Sequence, residues 1–392
     1  MTPPLHGLKI LDFTRLLPGP FGTMMLADLG AEVLRVEPPN FPDIIRMRPP
    51  FDGSLSGAHC VLNRGKGSIL LDLKKPEGVE VVKRLVKEYD IVVEQFRPGV
   101  MKRLGVGYEE LRAENERLIY CSITGYGQDG PYVNRAGHDI NYLSLAGIMS
   151  YTGRRNGGPL PLGVQIADLG CGGYNAVVSI LAAAIHRERT GEGQCIDISM
   201  TDGAILWGFM GAMNYLVGNE LMGREDDVLN GGIYYDCYET KDGQYMSVGS
   251  LEPQFYEALC RALGREDLIP KHMARDEEAQ ALKAEFVAEF KKKTRDEWTK
   301  VFEKVDACVE PVLSTKEMTE HPNTRARNMV VEVPKPDGPA QKQVGSPFKF
   351  SRTPPEIRHI GVELGVNTEE ILKKTGYSEE DIERMRKAKV FG

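Results

Sequence analysis

The chain lacks most of the features that would mark a secreted, membrane-spanning or metal-dependent protein. Its 392 residues include seven cysteines, an odd number, and no two of them form a C-x-x-C pair. A chain of this length does not need disulfide staples, so the cysteines point to a reducing, cytoplasmic setting. The first residues, Met1-Thr2-Pro3-Pro4-Leu5-His6, carry neither a basic stretch nor an apolar run, and no signal peptide is expected. The longest apolar run is Ala176-Val177-Val178 followed, after Ser179, by Ile180–Ile185. It falls far short of the ~20 residues that span a bilayer and reads as a buried core helix. No H-E-x-x-H or paired-cysteine motif offers a metal site. A Walker A loop and a G-x-S-x-G nucleophile elbow are also missing. The formal net charge of −7 argues against nucleic acid as a partner, because a phosphate backbone calls for a basic face.

What the chain does have is alternation. Strand patterns at 8–13, 32–36, 68–73, 91–94 and 118–123 are separated by helical ones. Pro18-Gly19-Pro20 opens a helix over 21–29 that Gly30 ends, and Pro76 starts another over 77–89. Such spacing means βαβ units and a largely parallel sheet. A helix over 176–190 stops at Thr190-Gly191-Glu192-Gly193, and 194–199 reads as one more strand. The character then changes. Residues 204–222 form a Met-rich helix, whose stretch from Met210 to Met222 suits plain core better than an adaptable ligand wall. A hairpin follows, 233–239 and 244–248 around Lys241-Asp242-Gly243, and then charged amphipathic helices over 253–305. The tail holds two helices with capping patterns, Asn367 with Glu370 and Ser378 with Asp381. The expected division is a large domain over 1–203, a linker helix over 204–228, a small α+β domain over 229–315, and a linker returning to the large domain over 316–392.

Three acid–base residues stand out. His138 lies in Ala136-Gly137-His138-Asp139-Ile140-Asn141-Tyr142, a polar segment with no apolar periodicity, which exposes its side chains. Asp168 lies in a second loop-like segment, Gln165-Ile166-Ala167-Asp168-Leu169-Gly170. A histidine and a carboxylate in separate loops can face each other across a substrate and move a proton between the two sides of one carbon. Glu252, in Gly249-Ser250-Leu251-Glu252-Pro253, is by itself an ordinary first-turn acid. The run Asp168-Leu169-Gly170-Cys171-Gly172 also resembles the glycine-rich loop of S-adenosylmethionine methyltransferases. That loop follows the first strand of its sheet, whereas here at least four strand-like segments come earlier. As a purely structural residue, Asp168 would cap the helix that follows it.

Two turns are basic. Asn63-Arg64-Gly65-Lys66-Gly67 precedes a strand, and Phe96-Arg97-Pro98-Gly99 follows Glu94 at a strand's carboxyl end, where open α/β sheets bind ligands. Arg46, Arg48 and Arg103 lie on neighbouring turns. Either these are solvated surface charges, or they cradle the phosphates of a ligand, for which arginine's fork of donors is suited.

The Gly-His-Asp-Ile-Asn-Tyr string, the Asn-Arg-x-Lys and Arg-Pro-Gly turns, Thr124–Pro131 and Ala307–Val312 together resemble the class III CoA-transferase (CaiB/BaiF) family, in its α-methylacyl-CoA racemase branch. The resemblance runs from Leu8 to Ser378. It implies an α/β fold with a Rossmann-like large domain and a smaller α+β domain. It also implies an interlocked homodimer, with each site between the large domain of one subunit and the small domain of the other. No cofactor is implied beyond coenzyme A carried by the substrate, and no nucleic acid or membrane partner. His138 and Asp168 would be the two bases that racemise a 2-methylacyl-CoA, Glu252 would hold the imidazole, and backbone N–H groups near Asp139 would stabilise the enolate. Arg97, Arg64, Lys66 and Tyr142 would bind coenzyme A. The family's transferases use the aspartate matching Asp168 as a nucleophile, many of them with an aromatic residue in place of His138. The alternative activity is therefore CoA transfer between carboxylic acids through an acylated Asp168.

Overall fold

Two compact units make up the chain in the computed structural model, which describes residues 2–392. The first takes the chain up to Ala146, then Leu162–Trp207 and Asn323–Gly392, and the second takes Gly147–Pro161 and Gly208–Pro322.

The first unit is built on a six-stranded sheet. Its strands are β1 (Lys9–Asp12), β2 (Glu32–Glu37), β3 (Lys66–Leu70), β4 (Ile91–Glu94), β5 (Ile119–Thr124) and β6 (Cys195–Ser199). All pairings are parallel, and the order is β3-β2-β1-β4-β5-β6. Ile91-Val92-Val93 is buried throughout, as a strand covered on both faces must be. Prolines start the helices: α1 (Pro18–Asp28) begins Pro-Gly-Pro, and α2 (Pro76–Leu85) begins at Pro76, where the missing N–H costs nothing. The order turns back at β1 and β4. Their connections leave to opposite sides and open a crevice at the carboxyl ends of these two strands.

A short helix α3 (Asp139–Leu145) follows β5. The segment around Asp168 departs from the loop expected there: Ala167–Tyr174 is a π-helix running straight into α4 (Asn175–Thr190). Together they form a 24-residue helix, apolar and long enough by composition to cross a bilayer, with half of its most apolar window buried. It is longer than the apolar run suggests because the π-helix Ala167–Tyr174 precedes that run without a break. A Cβ on Gly170 would meet the Trp207 ring at 2.4 Å, and one on Gly173 would meet the Pro18 carbonyl at 3.0 Å. These glycines permit close helix packing, unlike those of a methyltransferase loop, and no strand forms over 164–167.

The tail completes this unit's core. Leu372, Ile382, Met385 and Val390 pack with Leu11, Leu34, Val92 and Leu85. Ser378 and Asp381 form the expected capping box. Asn367 does not cap its helix; its Oδ1 accepts the Ser68 N–H at 2.9 Å.

The second unit has an antiparallel sheet of β7 (Asp236–Glu239), β8 (Tyr245–Val248) and β9 (Val309–Pro311), with β8 central. Helices α7 (Pro253–Leu263), α8 (Asp276–Phe290) and α9 (Arg295–Phe302) cover it with an aromatic core of Tyr234, Tyr238, Phe286, Phe290 and Trp298. Residues 147–161, expected in the large domain, belong here: Arg154 bonds both Glu225 and Asp236 at 2.7 Å. The expected helix over 204–222 is two helices that meet at Gly208, α5 (Met200–Trp207) and α6 (Phe209–Gly218). No residue of α6 is buried, so its methionines are not core.

Candidate active site

The crevice between β1 and β4 opens into a cavity of about 650 Å³ within the first unit. One wall is the loop after β1, Leu16-Leu17-Pro18. A second is the turn after β4, Gln95-Phe96-Arg97-Pro98. A third is the segment that leads into α3 and carries His138.

His138 sits at the N-terminal boundary of α3 with extended backbone, and its N–H donates to Asn141 Oδ1 at 3.0 Å. The polar Asn141 that seemed to mark a loop in the sequence is what ends the loop and starts the helix. The imidazole is exposed to the cavity. Tyr142, one turn on, is buried and donates its hydroxyl to the Gly137 carbonyl at 2.5 Å, while its ring stands edge-on to Tyr126 at 5.3 Å. Because that hydroxyl proton is already spent on Gly137, the ring shapes the wall and leaves only the oxygen's acceptor side for a ligand.

Asp168 lies in the first turn of the π-helix and lines the same cavity, half-buried. Burial pushes its carboxyl up to about 6, the neighbouring Asp139 adds to the rise, and His138 opposes it. A carboxyl pushed up to about 6 beside an imidazole that lines the same cavity is suited to exchanging protons with a substrate. Asp168 does not cap its helix; Asp139 does. Asp139 Oδ1 accepts the Ala167 N–H at 2.7 Å and the Asp168 N–H at 3.1 Å. These two amides are therefore taken, and Asp139 holds the backbone under Asp168.

The basic residues divide sharply. Arg64 is buried, forked onto Asp28 at 2.9 and 2.6 Å, with a further bond to the Val344 carbonyl at 2.6 Å. The Lys66 ammonium is fully buried among Asp12, Thr23, Asn63 and the Pro20 carbonyl at 2.7–3.3 Å. Neither reaches a ligand, which corrects their expected place in coenzyme A binding. Arg46 is likewise drawn onto Glu37, and Arg103 is exposed away from the cavity lining. Arg97 and Arg48 are exposed and line the cavity, and so does Arg135, which the sequence reading passed over. Its place two residues before Gly137-His138 was the available signal. Arg135 stacks on the Tyr132 ring at 4.1 Å. None of the three forms an ion pair among the described residues, and all three line the cavity.

Glu252 belongs to the second unit and is not among the residues lining this cavity. It stands exposed at the N-terminal boundary of α7. The backbone before it is pinned: Tyr234 donates to the Ser250 carbonyl at 3.0 Å, and His272 Nε2 lies 2.7 Å from the Leu251 carbonyl.

Comparison with known proteins gives a consistent result. A family model described as CoA-transferase family III matches residues 5–366. Human alpha-methylacyl-CoA racemase is 39% identical, over 99% of this chain and 97% of its own. Human succinyl-CoA:glutarate CoA-transferase is 35% identical, over 95% of this chain and 86% of its own. The crystal structure of a CAIB/BAIF family protein from Brucella suis is similar with a TM-score of 0.82 and 31% identity, covering 96% of this chain and all of that one.

Proposed function

Because the chain belongs to CoA-transferase family III, we propose that this enzyme acts on acyl-CoA thioesters, and that its reaction is racemisation of a 2-methylacyl-CoA by two-base proton transfer. The observation that carries the reading is the pairing of His138 and Asp168 on one cavity, with Asp168 titrating near 6. In one direction the Asp168 carboxylate removes the α-proton, which the thioester carbonyl has made acidic by taking up the charge. The His138 imidazolium then returns a proton to the opposite face. In the other direction the roles exchange. Three arginines without carboxylate partners, Arg48, Arg97 and Arg135, suit the phosphates of coenzyme A. Glu252 is assigned the task of orienting the imidazole.

The same reading takes the protein as a homodimer in a reducing compartment, in keeping with seven free cysteines. Support for the dimer comes from α6, an apolar helix whose Leu216 and Val217 are 79% and 84% exposed.

A second reading, CoA transfer through an Asp168 acyl anhydride, is favoured by the 35% identity to a transferase. Incubation of (R)-2-methylacyl-CoA with enzyme in deuterated water, without an acceptor acid, separates the two. Racemisation places deuterium at the α carbon, and His138→Ala abolishes the inversion while Asp168 still exchanges one enantiomer. An Asp168 hydroxamate after hydroxylamine treatment during turnover, with no deuterium at the α carbon, would sink the racemase reading.

A further inference from the structure

The last ladder bond between β1 and β4 is Phe13 N–H to the Val93 carbonyl at 2.8 Å, and beyond it the two chains enter separate loops. No backbone bond of the sheet holds their loops together from there. One side chain does. Gln95 is half-buried at the end of β4. Its Oε1 accepts the Gly19 N–H at 3.0 Å, and its Nε2 donates to the Arg15 carbonyl at 2.5 Å. The two bonds run in opposite senses, so only a group that both donates and accepts makes both. The approach is close: a Cβ on Gly19 would meet Gln95 Oε1 at 2.6 Å and Thr14 at 2.3 Å.

Between the two tethered backbone groups, Leu16 is held at φ +60, a conformation that leucine adopts only where its surroundings force it. Its N–H donates to Asp43 Oδ2 at 3.0 Å. Asp43 is itself buried, paired with Arg35 at 3.1 Å. The loop after β1 is thus fixed from two sides, and Gln95 is the fixing point that also belongs to the cavity.

We propose that Gln95 is a positioning residue of the acyl-CoA site. It holds the Leu16–Pro18 wall against the Phe96–Pro98 turn and so sets both the width of the crevice and the aim of Arg97. This rests on the reading of the cavity as the coenzyme A site. Without the clamp the two walls separate, and binding weakens in the ground state and the transition state alike.

The test measures calorimetric Kd for free coenzyme A, and KM and kcat for 2-methylacyl-CoA, in Gln95→Ala, Gln95→Asn and Gln95→Glu, alongside Tm. Asparagine is too short for either bond, and glutamate keeps the acceptor for Gly19 but loses the donor. Alanine and asparagine are expected to raise Kd and KM about tenfold with kcat within threefold, and glutamate to fall between them and the wild type. Amide exchange at residues 16–19 should quicken in the same order. Wild-type Kd and KM in Gln95→Ala would overturn the clamp. So would a loss of kcat that merely follows the fall in Tm. Failure of the wild-type enzyme itself to bind coenzyme A would overturn the reading of the cavity, and this role with it.

Discussion

The turn Asn63–Gly67 and the turn Phe96–Gly99 look alike on paper: each sets basic residues beside a strand of one parallel sheet. In the fold they are opposites. Arg64 and Lys66 are buried with carboxylates already in place, Asp28 and Asp12. Arg97 is exposed on a cavity and has no carboxylate among the described residues. Around Asp12, burial works to raise the carboxyl, but the charges of Lys66 and Arg35, with hydrogen bonds from Thr14 and Thr23, together hold the group below its ordinary range. A cation with its partner in place is scaffold; a cation without one is free to meet a ligand's charge. The same contrast appears in the acids. Glu94 is buried like Asp12 but has no cation, and burial pushes its carboxyl up to about 7 against the hydrogen bonds from Ser122 and the Phe96 N–H.

The sharpest way to break this comparison is Arg64→Leu. It strands Asp28 in the interior and should cost about 3–5 kcal/mol, read as a fall in the urea midpoint at constant m-value. KM for acyl-CoA in the enzyme that stays folded should hold. A stable variant that has lost coenzyme A affinity would put Arg64 back in the site.

Glu94→Gln comes next. In the unfolded chain the Glu94 carboxyl titrates near 4.5, and in the folded protein near 7. Between these values the folded state keeps a proton that the unfolded state has released, so stability falls as pH rises through this window. The loss is roughly 3 kcal/mol for a shift of this size. The glutamine variant should lack that component. Parallel stability–pH curves for the two proteins between pH 4 and 8 would show that Glu94 does not titrate as described.

Arg97→Ala should have the smallest effect on the fold and a clear one on binding. Stability should change by no more than about 0.5 kcal/mol. KM should rise about tenfold with kcat little changed, the mark of lost uniform binding. A large fall in urea midpoint would mean that Arg97 is scaffold after all.

Much of this was legible in the chain. Strands β1, β2, β4, β5 and β6 lie where apolar runs and proline–glycine punctuation put them, because those signals are local. The segment bearing His138 stood out as a polar break in apolar patterning, whereas the one bearing Asp168, expected as a loop, is a π-helix. The roles within them were not legible. Asp139 looked like a neighbour of the chemistry and is the cap under Asp168. Asn367 looked like a helix cap and bonds Ser68, 299 positions away in sequence. Residues 147–161 gave no sign of leaving the large unit, because the acids that hold Arg154 come some 70–80 residues later.

The sequence by itself determined the periodicities, and with them a parallel α/β unit, a smaller mixed unit and the two residues, His138 and Asp168, that line one cavity. Only the tertiary structure decided which charges meet. Whether a guanidinium is scaffold or ligand-binding depends on whether a carboxylate distant in sequence is folded against it. Burial in a medium of low dielectric makes that pairing close to obligatory. Arg64 found Asp28 and Lys66 found Asp12. Arg48, Arg97 and Arg135, with no ion pair among the described residues, were left lining the cavity.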